Sequence, residues 1–270
     1  MSSENRSDAA IRIAKSGGAV ALDYYRKLDT LAIEHKGHQD FVTIADQNTE
    51  THIRALIADA FPDDGIVGEE HAPKPSQTGY TWVIDPIDGT SNFINGIPQW
   101  CVIIAVVKGD QTEIGVTFDP VHDETFAATR GQGATFNGRP MVCPADSSIR
   151  NGTIATGFNN RLSPQGVIRL IDAIIDAKGV FSRNGSGGLS LAYVAAGRYL
   201  AYAEEHMNAW DCLAGQLQIA EAGGLIENQP ATEMIAQGGR VIAGSTGVFD
   251  ALLTMADTAF DASKSTSRKT

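Results

Sequence analysis

Residues Trp82 to Phe93 read W-V-I-D-P-I-D-G-T-S-N-F, an apolar strand that runs straight into two carboxylates three apart and then into a Gly-Thr turn. Asp85 and Asp88, separated by the stiff Pro86-Ile87 pair, can converge on one point just past a strand end, where open sheets place their ligands. Two acids that close repel each other unless something positive sits between them. Hard divalent cations take oxygen ligands, and Mg²⁺ is held by a few carboxylates while a substrate phosphate completes its shell. Gly89, Thr90 and Ser91 then offer N–H groups and hydroxyls at what reads as a helix start, a natural phosphate cradle. The stretch points to metal-assisted phosphate chemistry, although Asp, Pro and Gly also crowd ordinary turns.

Other segments change that balance. Gly65 to Glu70 (G-I-V-G-E-E) is a second short apolar strand ending in acids, and Trp210-Asp211 opens an apolar helical stretch that closes with Glu221-Ala222-Gly223-Gly224. Three separate segments thus bring carboxylates to element termini, as a multi-metal site requires. Lys and Arg total 21 against 32 Asp and Glu, a formal net charge of −11, which disfavours sequence-independent nucleic-acid binding. The three cysteines, Cys101, Cys143 and Cys212, lack C-x-x-C spacing and read as reduced, buried thiols. The six histidines form no pair at metal spacing and read as surface residues. No apolar run approaches the roughly 20 residues needed to span a bilayer, so a cytoplasmic protein with no membrane partner is expected.

The periodicity predicts a helix from Ser7 or Asp8, either of which suits the cap, to Lys27. A second amphipathic helix runs from an Asp46 N-cap to Pro62. Strands follow near 66–67, 82–84, 101–107, 113–118 and 125–129, with Lys108-Gly109-Asp110 shaped as a hairpin turn. Beyond Pro144 strands and helices alternate, ending in a helix from Val248 to Phe260. The expected organisation is an α+β lobe over 1–145 carrying the metal and phosphate site, an α/β lobe over 146–262 closing it, and a flexible tail over 263–270.

In order and spacing, from about residue 8 to residue 258, these motifs resemble the inositol monophosphatase family of Mg²⁺-dependent, lithium-sensitive phosphatases. The first signature resembles Trp82 to Phe93, and the second resembles Trp210-Asp211-Cys212 with Glu221 to Gly224. Lesser marks are Asp40 to Asp46, Gly68-Glu69-Glu70, and Gly185-Ser186 ahead of Leu189. The resemblance implies the layered α-β-α-β-α sugar-phosphatase fold and a homodimer. It implies that Glu69, Asp85 and the Ile87 carbonyl hold one Mg²⁺, that Asp85, Asp88 and Asp211 hold a second, and that a third leans on Glu69. Thr90 beside Glu69 would orient the attacking water, and Asp46 would hydrogen-bond Thr90. Asp88, Gly89, Thr90, Gly187, Glu204 and Asp211 would meet the substrate, a small phosphate monoester, with Lys36 and Arg183 as further basic candidates.

Each position has a plainer reading. Asp46 serves equally as a helix N-cap. Asp211 has the same plainer reading, although Trp210 before it and the family spacing favour metal. Glu70 reads as a solvated neighbour of Glu69, and Lys36 as a surface charge. The loop Gly185-Ser186-Gly187-Gly188 carries two glycines where the family more often has alanines, and so is expected to be looser. The activity implied is hydrolysis of inositol 1-phosphate. Alternatives are histidinol phosphate or a 3′-phosphorylated nucleotide, with Trp100 as a departure favouring the first. A dual role is also open, since some bacterial members associate with the transcription machinery.

Overall fold

Apolar residues at consecutive positions of the central strands require cover on both faces of a sheet, and this sets the layering. The computed structural model describes residues 4–28, 33–35, 41–145, 147–159 and 161–266. In chain order the elements are α1 (Arg6–Tyr25), β1 (Ile33–His35), β2 (Phe41–Thr43), α2 (Ile44–Ala60), β3 (Gly65–Gly68), β4 (Tyr80–Asp88) and α3 (Thr90–Ile94). Then come β5 (Cys101–Lys108), β6 (Gln111–Asp119), β7 (Glu124–Thr129), β8 (Ala134–Phe136), β9 (Arg139–Met141), β10 (Thr153–Thr156), α4 (Gln165–Asp176) and β11 (Val180–Ser182). The chain continues through α5 (Gly187–Ala195), β12 (Ala201–Met207), α6 (Ala209–Glu221), β13 (Leu225–Ile226), α7 (Ala231–Gln237), β14 (Gly239–Gly244) and α8 (Phe249–Thr266).

Strands β3 to β9 form one seven-stranded sheet in sequence order, antiparallel except for the β3–β4 pair. The second sheet has the order β11-β10-β12-β14-β13 and is mixed, parallel around β10 and antiparallel around β14. Alternation along the strands assigns the layers. Trp82, Ile84, Val102, Ile104 and Val106 cluster with Ile13 of α1 and Ile53 and Ile57 of α2. Val83, Ile103, Ala105 and Val107 face the other way, onto Leu189, Leu191, Leu213 and Leu217 of α5 and α6. Tyr202, Val241 and Ala243 of the second sheet close that same cluster. Ala201, Ala203 and Ile242, one residue out of phase, meet Leu170 and Ile174 of α4 and Leu252 and Phe260 of α8. Five layers result, α-β-α-β-α, as expected.

Three sets of contacts fix how closely the layers approach. A Cβ on Gly115 of β6 would lie 2.6 to 3.1 Å from the Ala214 backbone, so α6 rests directly on the sheet. Beside it the buried Gln218 amide donates to Thr117 Oγ1 and to the Phe126 carbonyl, both at 3.1 Å. At the far edge, buried Asp64 accepts two bonds from Arg6, at 2.7 and 2.9 Å, and one from the Trp82 indole at 2.9 Å. The tryptophan that opens the first signature is thus a core residue with its one polar atom satisfied.

Several local expectations are corrected. Asn5, not Ser7 or Asp8, caps α1, accepting the Asp8 N–H at 2.9 Å. Helix α2 starts at Ile44, which puts Asp46 inside its first turn rather than at the cap. Helix α8 runs to Thr266 rather than ending at Phe260. His52 is not a plain surface residue, because its Nε2 meets Ser16 Oγ at 2.8 Å between α1 and α2. Strands β8 and β9 and helix α7 were not anticipated, being short segments without a clear period. No helix among the described residues is long and apolar enough to cross a membrane.

Candidate active site

In a regular strand, residues three apart point to opposite faces. Asp85 and Asp88 converge because the β4–β5 register shifts between them, a bulge at Pro86-Ile87 that re-aims the second carboxylate. Asp85 Oδ1 accepts the Ile87 N–H at 2.9 Å and stiffens the bulge. Asp211 arrives from the first turn of α6, where its Oδ2 accepts the Asn208 N–H at 3.2 Å. It is the third residue of a capping box whose cap is Asn208, so it is not itself the N-cap. One oxygen from each of Asp85, Asp88 and Asp211 lies within 4.8 Å of the others.

Three carboxylates packed this closely resist ionisation. Burial, then the charges of Glu69, Asp88 and Asp211, hold the Asp85 carboxyl well above its usual range. Burial and the Asp88 charge push Asp211 up to about 7. The donor set is hard oxygen, and its repulsion is what a divalent cation would neutralise, so these residues fit one.

Asp88 is the most constrained of the three. Its Oδ2 accepts the Ser186 hydroxyl, the Gly188 N–H at 2.8 Å and the Cys101 thiol at 3.6 Å. Ser186 also caps α5 by accepting the Leu189 N–H at 3.2 Å. The Gly187 N–H likewise favours the Asp88 carboxylate, although burial outweighs these bonds and raises its pKa overall. The N-terminus of α5 therefore serves Asp88, and Gly187, which the resemblance placed at the substrate, also lines the adjacent cavity. The loop is not loose either, since a Cβ on Gly188 would overlap Ile103 Cδ1. Asn92 ties this loop to the first signature, donating to the carbonyls of Gln99 at 2.6 Å and Asn184 at 2.7 Å. Gly89 adopts φ 94°, and a Cβ there would lie 2.9 Å from the Gln99 carbonyl, so the turn into α3 requires glycine.

The Thr90 hydroxyl donates to the Ile87 carbonyl at 3.0 Å, so its proton goes to the bulge rather than to Asp46. Glu69 sits just past β3 and keeps solvent-accessible surface. The protein around its carboxyl, then the charges of Asp211 and Asp46, hold it well above its usual range. It lies within electrostatic reach of the aspartates but outside the tight trio. Lys36 and Asp40 lie outside the described residues. Glu221 is remote, its carboxylate accepting the Gly131 and Gly133 N–H groups at 2.8 and 2.9 Å.

A polar cavity of about 160 Å³ opens beside the aspartates, lined by Asp88, Asp211, Arg183, Gly187 and Glu204 among others. Sequence reasoning missed Tyr202 and Gly157. The buried Tyr202 phenol donates to Glu204 Oε2 at 2.5 Å, and a Cβ on Gly157 would overlap that oxygen. Burial pushes the Glu204 carboxyl up to about 7 against the opposing pull of the phenol. Alternation along β12 places Tyr202 and Glu204 on one face, the only signal that linked them.

The model of the inositol monophosphatase family matches residues 2–258. The Nus factor SuhB of Pseudomonas aeruginosa is 36% identical over 252 residues, covering 91% of this chain and 93% of that protein. A crystal structure of the extragenic suppressor protein suhB from Bartonella henselae superposes with a TM-score of 0.87 at 29% identity, covering 92% of this chain and 97% of that one. The inositol monophosphatase structure from Anabaena gives 0.81 at 30% identity, covering 94% and 95%. By sequence, fold and the arrangement of its carboxylates, the chain belongs to the inositol monophosphatase family.

Proposed function

We propose that this chain is a Mg²⁺-dependent phosphomonoesterase that hydrolyses inositol monophosphates, inositol 1-phosphate first among them. The observation that carries the reading is the convergence of Asp85, Asp88 and Asp211 within 4.8 Å, with Asp88 and Asp211 in the wall of a polar cavity. Asp85, Asp88, Asp211, Glu69 and the Ile87 carbonyl would hold the metal. Bound there, divalent metal neutralises phosphate charge and acidifies the attacking water, which an inert phosphate monoester needs. Thr90 and Glu69 orient that water, with Asp46 behind them, and the N–H groups of Gly89 and Thr90 receive phosphate oxygens. Glu204, aligned by Tyr202, accepts a hydrogen bond from a substrate hydroxyl, and Arg183 supplies positive charge at the entrance.

Phosphate release from inositol 1-phosphate, histidinol phosphate and 3′-phosphoadenosine 5′-phosphate, with Mg²⁺, chelator or lithium, tests this. Mg²⁺-dependent, lithium-inhibited preference for inositol 1-phosphate supports it. Preference for histidinol phosphate moves the substrate within the family, and no turnover of any member overturns it. The relatives named Nus factors favour a second role, binding a protein partner. Asp88→Asn separates the two, since it removes phosphate release and leaves partner binding intact. A homodimer is supported by α4 and the edge strand β11, which leave Ile168, Ile175, Val180 and Phe181 exposed. Sedimentation of Phe181→Glu should then show a monomer.

A further inference from the structure

Glu69 is the one proposed metal ligand whose carboxylate makes no hydrogen bond among the described residues, so its placement rests on the main chain that carries it. That main chain is gripped from α2. Glu50, fully buried, accepts the Glu70 N–H on Oε2 at 2.7 Å and the Arg54 Nε on Oε1 at 2.6 Å. Arg54 in turn donates to the carbonyls of His71 and Ala72, both at 3.1 Å. On the other side of Glu69, a Cβ on Gly68 would overlap the Glu50 carboxylate, so strand β3 ends in van der Waals contact with it. The pair thus holds the main chain at residues 68, 70, 71 and 72, on both sides of Glu69. Asp46, Glu50 and Arg54 are four apart on α2 and lie along one helical face. Asp46 is also near enough for its charge to raise the Glu69 carboxyl.

We infer that Glu50 and Arg54 are positioning residues, a buried carboxylate–guanidinium clasp that sets Glu69 for metal binding. The inference rests on the Mg²⁺ reading of the site. Supporting groups of this kind set metal affinity by orienting ligands, and removing one costs about 10–100-fold. Arginine suits the task because its planar fork reaches two carbonyls at once, whereas lysine presents a single point charge.

The test uses the full chain and Mg²⁺ alone, measured by titration calorimetry, with the melting temperature in chelator and kcat and KM recorded alongside. Arg54→Ala and Glu50→Gln should each weaken Mg²⁺ binding about tenfold or more. Arg54→Lys, the variant expected to keep the fold, should fall between these and the wild type. In a Glu69→Gln background, Arg54→Ala should weaken Mg²⁺ binding no further, because the clasp acts through Glu69. Mg²⁺ affinity within twofold of wild type in all three clasp variants, or full additivity with Glu69→Gln, overturns the inference and leaves the clasp a stabilising contact only. Absence of Mg²⁺ binding by the wild-type chain would instead overturn the function proposed above.

Discussion

The N–H of Gly188, at the start of α5, points at Oδ2 of Asp88 from 2.8 Å across 100 residues of sequence. One bond therefore joins the helix between the two sheets to the bulged end of β4. Packing, rather than that bond, confines the position to glycine. Ile103 fills the space a Cβ would take.

Gly188→Ala should push Ile103 or Asp88 out of place, destabilise the fold by about 1–3 kcal/mol and lower kcat. Ile103→Val removes the obstructing methyl group, so the double variant should regain most of both losses. Urea unfolding and phosphate release on the two variants check this, and a double variant no better than Gly188→Ala counts against it.

Asp85→Asn should change stability with opposite signs in two buffers. In chelator it removes the repulsion between Asp85 and its neighbours Glu69, Asp88 and Asp211, so the melting temperature should equal or exceed that of the wild type. In saturating Mg²⁺ it should be lower, because the variant loses the stabilisation that ligand binding gives the folded state. Thermal melts in both buffers decide the point.

Metal-free protein should lose stability as pH rises from 5 to 8. Asp211 and Glu204, both pushed up to about 7, stay protonated in the folded state at pH values where the unfolded chain has already released those protons. The folded state then binds more protons than the unfolded one, so stability falls with pH across that window. Asp64, whose carboxyl is lowered, acts only below its ordinary range and does not interfere. Urea midpoints in chelator should be higher at pH 5 than at pH 8.

Tyr202→Phe removes the donor that orients Glu204. One hydrogen bond of about 1 kcal/mol corresponds to about a fivefold rise in KM, with kcat little changed. Without the phenol the Glu204 carboxyl should titrate higher still, because that bond favours its ionised form. A pH series of KM for inositol 1-phosphate reads both effects.

Asp64→Ala should be purely structural. It strands the Trp82 indole and the Arg6 guanidinium, at a cost of about 2–3 kcal/mol. Mg²⁺ affinity and kcat of the folded fraction should be unchanged, which makes it a control for the clasp variants.

Much of this is legible in the amino-acid sequence itself. The apolar runs before Asp85 and inside 101–107 require buried strands, and the switch from clustered strands to alternating strands and helices after Pro144 marks the change from one sheet to the other. The acids at strand and helix ends were visible for the same reason: local spacing is written in the sequence. The cap of α1 and the end of α8 were misplaced because several residues suit a cap equally well and contacts decide among them.

The sequence by itself determined which residues could bind a cation and that they would stand at element termini. Only the tertiary structure decided how they are held. The bulge that turns Asp88 to face Asp85, the α5 N–H groups spent on Asp88, the phenol behind Glu204 and the clasp beneath Glu69 are relations between residues far apart in the chain. They arise from packing and from the need to satisfy buried polar groups, and neither leaves a local period to read.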